Sequence, residues 1–102
     1  MNNHIFKSYI DNITQYYGIT QEEMFSEGKT QANVEPRHLF FYLCSLKDIS
    51  IVTIQRFLQE QGHSPFHHTS IVRAIRKINQ RVENHPEYDA LVYKMQTITA
   101  NV

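Results

Sequence analysis

The residues best suited to chemistry form a run of short hydrogen-bonding side chains at the start of a predicted helix: His67, His68, Thr69 and Ser70. Imidazoles and hydroxyls can pair with base edges in the major groove of DNA, and a threonine methyl can contact a thymine methyl. Thr69 and Ser70 can also simply cap the helix. Basic residues crowd the exposed side of the same helix: Arg73, Arg76, Lys77 and Arg81. The pattern favours a surface for double-stranded DNA.

These side chains belong to a predicted helix-turn-helix that runs from about Ser50 to Asn84. Ser50 can cap its first helix, which Gly62 ends, and residues 63–67 form the turn, with His68, Thr69 or Ser70 as the cap of the second helix. The apolar face of that second helix is Ile71, Ala74, Ile75, Ile78 and Val82. In such a motif the N-terminal residues of the second helix lie against base edges, and its dipole favours phosphate.

Charge is segregated along the chain, although the formal net charge is zero. Residues 37–82 carry seven Lys and Arg against two Asp and Glu, a net charge of +5. Residues 1–36 carry −3 and residues 83–102 carry −2. A basic centre between acidic ends can steer a surface toward phosphate, although a solvated helix face is the alternative interpretation.

The remaining sequence predicts a single all-α domain over residues 1–102, a six-helix bundle containing the helix-turn-helix. Apolar residues recur at helical spacing from Asn3 to Tyr17, and Gly18 ends that stretch. Thr20 and Glu23 have the form of a capping box. Residues 28–34 are predicted to form a loop, and Pro36 to begin a central helix, with Arg37 and His38 outside its apolar stretch. Pro86 begins the last helix, whose predicted buried face is Tyr88, Leu91, Val92, Met95 and Ile98.

Several classes of function find little support. There is no apolar run long enough to span a membrane and no signal pattern, and the lone Cys44 reads as a buried thiol, so a cytoplasmic protein is expected. Three isolated glycines form no phosphate-binding loop, so no nucleotide or other cofactor is predicted. His63, His67 and His68 could suggest zinc, but Pro65 interrupts the spacing, and no metal is expected. No catalytic residues are identified, so the chain is not expected to be an enzyme.

A family resemblance is carried by motifs in the same order and spacing across six helical segments, roughly residues 5–98. They are Tyr16-Tyr17-Gly18-Ile19-Thr20, Glu23-Met24, Pro36-Arg37-His38, Tyr42-Leu43, Ser50 with Ile54, His68-Thr69-Ser70-Ile71 and Arg76-Lys77-Ile78. In these the chain resembles the C-terminal DNA-binding domain of the bacterial replication initiator DnaA. The resemblance implies an all-α helix-turn-helix fold that binds origin repeats, called DnaA boxes.

The resemblance also implies roles for individual residues. His68, Thr69 and Ser70 match the family's major-groove readers, and Arg37 matches an arginine at a helix start that contacts DNA. Lys29 falls where the family places a minor-groove arginine, and Lys47 lies near a phosphate-contacting lysine. His67 stands where the family has aspartate and His38 where it has glutamine, and the turn over residues 59–66 is longer than the family's turn. With the basic residues Arg73, Arg76 and Lys77, these positions form the predicted DNA-binding site.

The expected function is therefore sequence-specific binding of double-stranded DNA at initiator-box-like sites, in control of replication initiation. The sequence contains no ATPase portion of an initiator, so two interpretations remain: an excised fragment of an initiator, or the free-standing relative that we expect. A phage or mobile-element gene is our hypothesis for such a relative. Two alternatives remain: a module that binds a replication initiator or another replication protein, and a repurposed transcriptional regulator.

Overall fold

Helices dominate the part of the chain that the computed structural model describes, residues 2–26 and 31–97, and no strand occurs among these residues. The all-α prediction is confirmed. The six helices are α1 (Asn3–Tyr17), α2 (Gln21–Met24), α3 (Gln31–Leu46), α4 (Ile51–Glu60), α5 (His68–Asn84) and α6 (Pro86–Met95). The predicted helix-turn-helix corresponds to α4, residues 61–67 and α5.

Local signals set most helix ends where the sequence predicts them. Gly18 ends α1 in the left-handed conformation with φ of 68°, which glycine adopts without steric cost. Thr20 and Glu23 form the predicted capping box of α2. The Ser50 hydroxyl accepts a hydrogen bond from the Thr53 N–H and caps α4. Gly62, with φ of 83°, turns the chain after α4.

The central helix is α3, which packs against α1, α2, α5 and α6. Its middle is buried on every side, as the continuous apolar run predicts; Leu39, Phe40, Phe41, Leu43 and Cys44 are at most 1% exposed. Burial raises the pKa of the Cys44 thiol well above its usual value, so this side chain acts as a small core hydrophobe. The prediction of a buried thiol is confirmed.

The predicted start of α3 is wrong. The helix begins at Gln31 and contains Pro36, so residues 31–34 are helical and not part of a loop. Pro36 has no N–H to donate to the carbonyl four residues earlier, which would ordinarily favour a boundary there. Glu35 supplies the opposing stabilisation, because its carboxylate accepts hydrogen bonds from the Tyr17 hydroxyl at 2.8 Å and from Arg81 at 3.0 Å. Tertiary contacts therefore hold the turn preceding the proline in the helix.

Helix α5 lies along α3 with Ile71, Ala74 and Ile78 buried between them. Its opposite side faces solvent. Helix α6 covers the far end of α5 and contributes Tyr88, Val92 and Met95 to the core, while Leu91 is partly buried and Ile98 lies outside the described residues. Across residues 2–26 and 31–97, no helix is both long and apolar enough to cross a bilayer.

Candidate nucleic-acid interface

The first turn of α5 presents its polar side chains to solvent. His67 is the N-cap residue, with φ −71° and ψ 149°, and its side chain makes no capping hydrogen bond. The cap therefore precedes the three predicted candidates, and the capping role considered for Thr69 and Ser70 is wrong. His67, His68, Thr69 and Ser70 are all exposed. Their donors and acceptors remain accessible at a positively polarised helix end.

The turn before α5 is anchored by Phe66. Its ring lies against the rings of Phe41, with centroids 5.7 Å apart, and Phe25, with centroids 6.4 Å apart. Its backbone carbonyl accepts a hydrogen bond from the Gln55 side-chain amide at 2.8 Å. A long turn with a partly buried aromatic residue near its end can thus fix where α5 begins. The sequence pattern showed the length of this turn but gave no signal that Gln55 would bind it.

Arg37 lies inside the protein, although it precedes the apolar stretch that begins at Leu39. The side chain is 7% exposed, and Nη1 donates to the carbonyl oxygens of Ser26 at 2.7 Å and Met24 at 3.4 Å. The guanidinium carbon lies 5.1 Å from the centroid of the Phe66 ring. Burial lowers the arginine pKa. Because α3 begins at Gln31, six residues before Arg37, Arg37 lies within the helix. Its side chain is on the side of α3 that faces α2 and the turn before α5.

His38 lies between two adjoining cavities on the surface between α3 and α5. One cavity of about 430 Å³ is largely aromatic and aliphatic, and its lining is Val34, Arg37, His38, Phe41, Pro65, Phe66, His67 and Ser70. The other, of about 280 Å³, is lined by His38, Ser70, Arg73, Ala74 and Lys77. Partial burial, followed by the charges of Arg37, Lys77 and Arg81, lowers the His38 pKa to about 4. The imidazole is therefore neutral at physiological pH and offers one donor and one acceptor.

The basic residues of α5 divide into two groups. Arg73, Arg76 and Lys77 are exposed. Arg81 instead forms an ion pair with Glu35, Nη1 to Oε1 at 3.0 Å, and stacks on Tyr88 with its guanidinium carbon 5.3 Å from the ring centroid. Of the four basic residues predicted on the exposed side of α5, three face solvent, and Arg81 instead joins α5 to α3.

The remaining predicted residues lie apart from this cluster. Lys47 is exposed in the turn between α3 and α4. Lys29 lies outside the described residues. His63 is half-buried, with a ring nitrogen 2.9 Å from the Gln21 side-chain amide and its ring 4.9 Å from that of Phe25. Among residues 2–26 and 31–97, no group of three or more potential ligands is arranged to hold a metal ion.

Comparison with known proteins decides the family. The sequence profile of the bacterial DnaA protein helix-turn-helix matches residues 7–78, which include most of α1, all of α2 to α4 and most of α5. The chain belongs to this DnaA helix-turn-helix family. DnaA helix-turn-helix domains bind double-stranded DNA. Helix α6 lies beyond the matched region.

A curated relative agrees with this DnaA assignment. The chain is 31% identical over 75 residues to chromosomal replication initiator protein DnaA 1 of Chlamydia pneumoniae. The match covers 72% of this chain and 15% of the relative, so the chain spans a small part of that initiator's length. No significant match was found among solved structures.

Proposed function

We propose that this DnaA-family chain binds double-stranded DNA sequence-specifically, at initiator-box-like sites, in the control of replication initiation. The observation that carries the proposal is the first turn of α5, where four polar side chains are exposed and make no cap. Phe66 and Gln55 hold the preceding turn, so these side chains stand on a fixed helix end. A fixed, polar helix end is what major-groove readout requires.

His68, Thr69 and Ser70 are the base-reading residues in this proposal, and His67 flanks them. Their short side chains bring α5 close to the base edges, where each well-formed contact contributes about 1–3 kcal/mol of discrimination. The exposed Arg73, Arg76 and Lys77 bind backbone phosphates, as does Lys47 from the turn before α4. Lys29 is proposed to enter the minor groove.

Arg37 and His38 act differently from each other. Arg37 is a positioning residue, since its guanidinium joins the carbonyls after α2 to the Phe66 ring and thereby supports the turn before α5. His38 faces the cavity beside Ser70 and is close enough to the reading helix to contact DNA directly. The two neighbours in sequence therefore contribute to binding in different ways, Arg37 by supporting the turn and His38 by contacting DNA.

The test measures the affinity for duplexes with and without an initiator box by fluorescence anisotropy, at one fixed salt concentration. The double variant Thr69→Ala/Ser70→Ala is expected to lose at least tenfold in affinity for the box duplex, about 1.4 kcal/mol or more. Its melting temperature should match that of the wild type, because neither side chain caps α5. Gln80→Ala, exposed farther along the same helix, is the matched control and should bind normally. Equal affinity of wild type and double variant for the box would refute the readout by α5.

A second candidate function rests on α6. Tyr93 is 79% exposed, and Glu87 and Asp89 are exposed on the same helix. This helix lies outside the matched family region. A large exposed aromatic beside carboxylates suits binding of a replication protein, and Tyr93→Ala should weaken such an interaction without changing DNA affinity.

A further inference from the structure

The smaller cavity between α3 and α5 combines groups that recognise phosphate. Ser70, Arg73 and Lys77 follow one another at steps of three and four along α5, and His38 closes the cavity from α3. At this spacing Arg73 and Lys77 are neighbours on the helix surface, where like charges repel and slightly destabilise the helix. No carboxylate lies among the lining residues. The nearby carboxylate of Glu35 is engaged with Arg81 and Tyr17.

We infer that this cavity binds a single phosphate of the DNA backbone, held jointly by Arg73 and Lys77, with His38 joining them in its protonated form. The inference rests on the proposed DNA binding and makes one part of it specific. One phosphate between two like charges removes their repulsion.

The surroundings of His38 explain why phosphate binding would be coupled to protonation of its imidazole. Burial first, and then the charges of Arg37, Lys77 and Arg81, disfavour the imidazolium, while Glu35 favours it, and the His38 pKa is lowered to about 4. Arg73 lines the smaller cavity and His67 lines the larger one, and neither adds negative charge. A phosphate placed between Arg73 and Lys77 offsets this positive field. The imidazole then gains a proton and a charge-assisted hydrogen bond.

Salt dependence tests whether Arg73 and Lys77 share one phosphate. The affinity for a duplex carrying an initiator box is measured over a range of salt concentrations for the wild type, Arg73→Ala, Lys77→Ala and the double variant. Each phosphate bound contributes about 0.9 to the slope of log affinity against log salt. The shared site predicts that the double variant loses about 0.9 and each single variant less. Lys7→Ala, exposed on α1, is the control and should keep the full slope.

Three salt results would overturn the inference. A loss of about 1.8 in the double variant, with about 0.9 in each single variant, would mean two separate phosphates. An unchanged slope in the double variant, with duplex binding retained, would mean that the cavity binds none and would leave the proposed function standing. Failure of the wild type to bind any duplex would overturn the proposed function as well.

Protonation of His38 on binding is tested by measuring the affinity for the initiator-box duplex from pH 7 to pH 5. If binding moves the His38 pKa from about 4 to about 6, affinity rises about tenfold over this range. His38→Gln, which keeps a neutral hydrogen-bonding side chain, should lose that rise, and circular dichroism should show it folded. Nitrogen chemical shifts of the wild-type His38 ring give a second readout and should report protonation only with DNA bound. Identical pH profiles for the two proteins, or a neutral ring in the complex, would contradict the role of His38.

Inorganic phosphate at constant ionic strength separates the possible sources of the phosphate group. A site for the DNA backbone predicts that millimolar inorganic phosphate leaves both the His38 shifts and the duplex affinity unchanged. Protonation of His38 by inorganic phosphate alone, with loss of duplex binding, would reassign the cavity to a free phosphate ligand.

Discussion

The side-chain amide of Gln55 donates a hydrogen bond to the backbone carbonyl oxygen of Phe66 over 2.8 Å. This bond joins the first helix of the helix-turn-helix to the turn that precedes its second helix. On the other side of that turn, Arg37 of α3 lies against the Phe66 ring. The start of α5 is therefore fixed by contacts from both α3 and α4, one residue before its N-cap His67.

Gln55→Ala should weaken both DNA binding and the fold, whereas an exposed glutamine of the same helix should affect neither. Loss of one partly buried hydrogen bond is expected to lower the free energy of unfolding by about 1 kcal/mol. Affinity for an initiator-box duplex should fall several-fold, because the turn and the reading residues lose part of their fixed geometry. Chemical denaturation and fluorescence anisotropy measure the two effects. Gln59→Ala, exposed on the same helix, is the control, and equal DNA affinity for both variants would rule out a positioning role for Gln55.

Arg37→Ala is expected to destabilise the fold. The change leaves the carbonyls of Met24 and Ser26 without this donor and removes the contact with the Phe66 ring, which together correspond to about 2–3 kcal/mol. Thermal melts compare it with Arg56→Ala, an exposed arginine of α4 that should shift stability by at most about 0.5 kcal/mol. Coincident melting curves for the two variants would contradict the buried role of Arg37.

The sequence predicted those parts of the fold that depend on neighbouring residues. Ser50 and the Thr20–Glu23 pair satisfy N–H groups within three residues, and Gly18 relieves strain at its own position. The apolar spacing of α5 likewise depends only on the helical period. These signals act over one or two turns, so the sequence alone carries them. Those helix ends and buried faces that depend on local signals could therefore be predicted closely.

The errors came from contacts between residues distant in sequence. Pro36 was read as a helix start because its missing N–H is a local property, whereas the bonds of Glu35 to Tyr17 and Arg81 span 18 and 46 residues. Arg37 is matched by the family resemblance to a DNA-contacting arginine, whereas its hydrogen-bond partners in the structure are the carbonyls of Met24 and Ser26 at the end of α2. Hydrogen bonds between residues so distant in sequence cannot be predicted from its hydrophobic periodicity. For the candidate site, the exposed residues of α5 were predicted, but the structural use of Arg81 was not.

Arg81→Ala and Arg76→Ala should separate structural from DNA-binding cations on the same helix. Arg81→Ala breaks a half-buried ion pair and the contact with Tyr88, so we expect a loss of about 1–2 kcal/mol in stability. Its salt slope for duplex binding should equal that of the wild type. Arg76→Ala should keep full stability and lose about 0.9 in that slope. The reverse pattern, with Arg81 setting the salt slope, would show that the ion pair opens to bind DNA.

His38 should make the free energy of unfolding depend on pH below about 6.5. Above that pH the side chain is neutral in both folded and unfolded chains, so it contributes no pH dependence. Below it, the unfolded chain takes up a proton that the folded protein accepts only near pH 4, since the folded pKa is lowered to about 4. Stability therefore falls as pH decreases through this window, by about 1–2 kcal/mol between pH 6.5 and pH 5 for a partly buried group.

Urea denaturation of the wild type and His38→Gln at matched pH isolates this effect, because all other groups are common to both. His4→Gln, exposed on α1, serves as the control for the loss of an imidazole. A stability difference between wild type and His38→Gln that stays constant across the window would mean that His38 titrates normally in the folded protein.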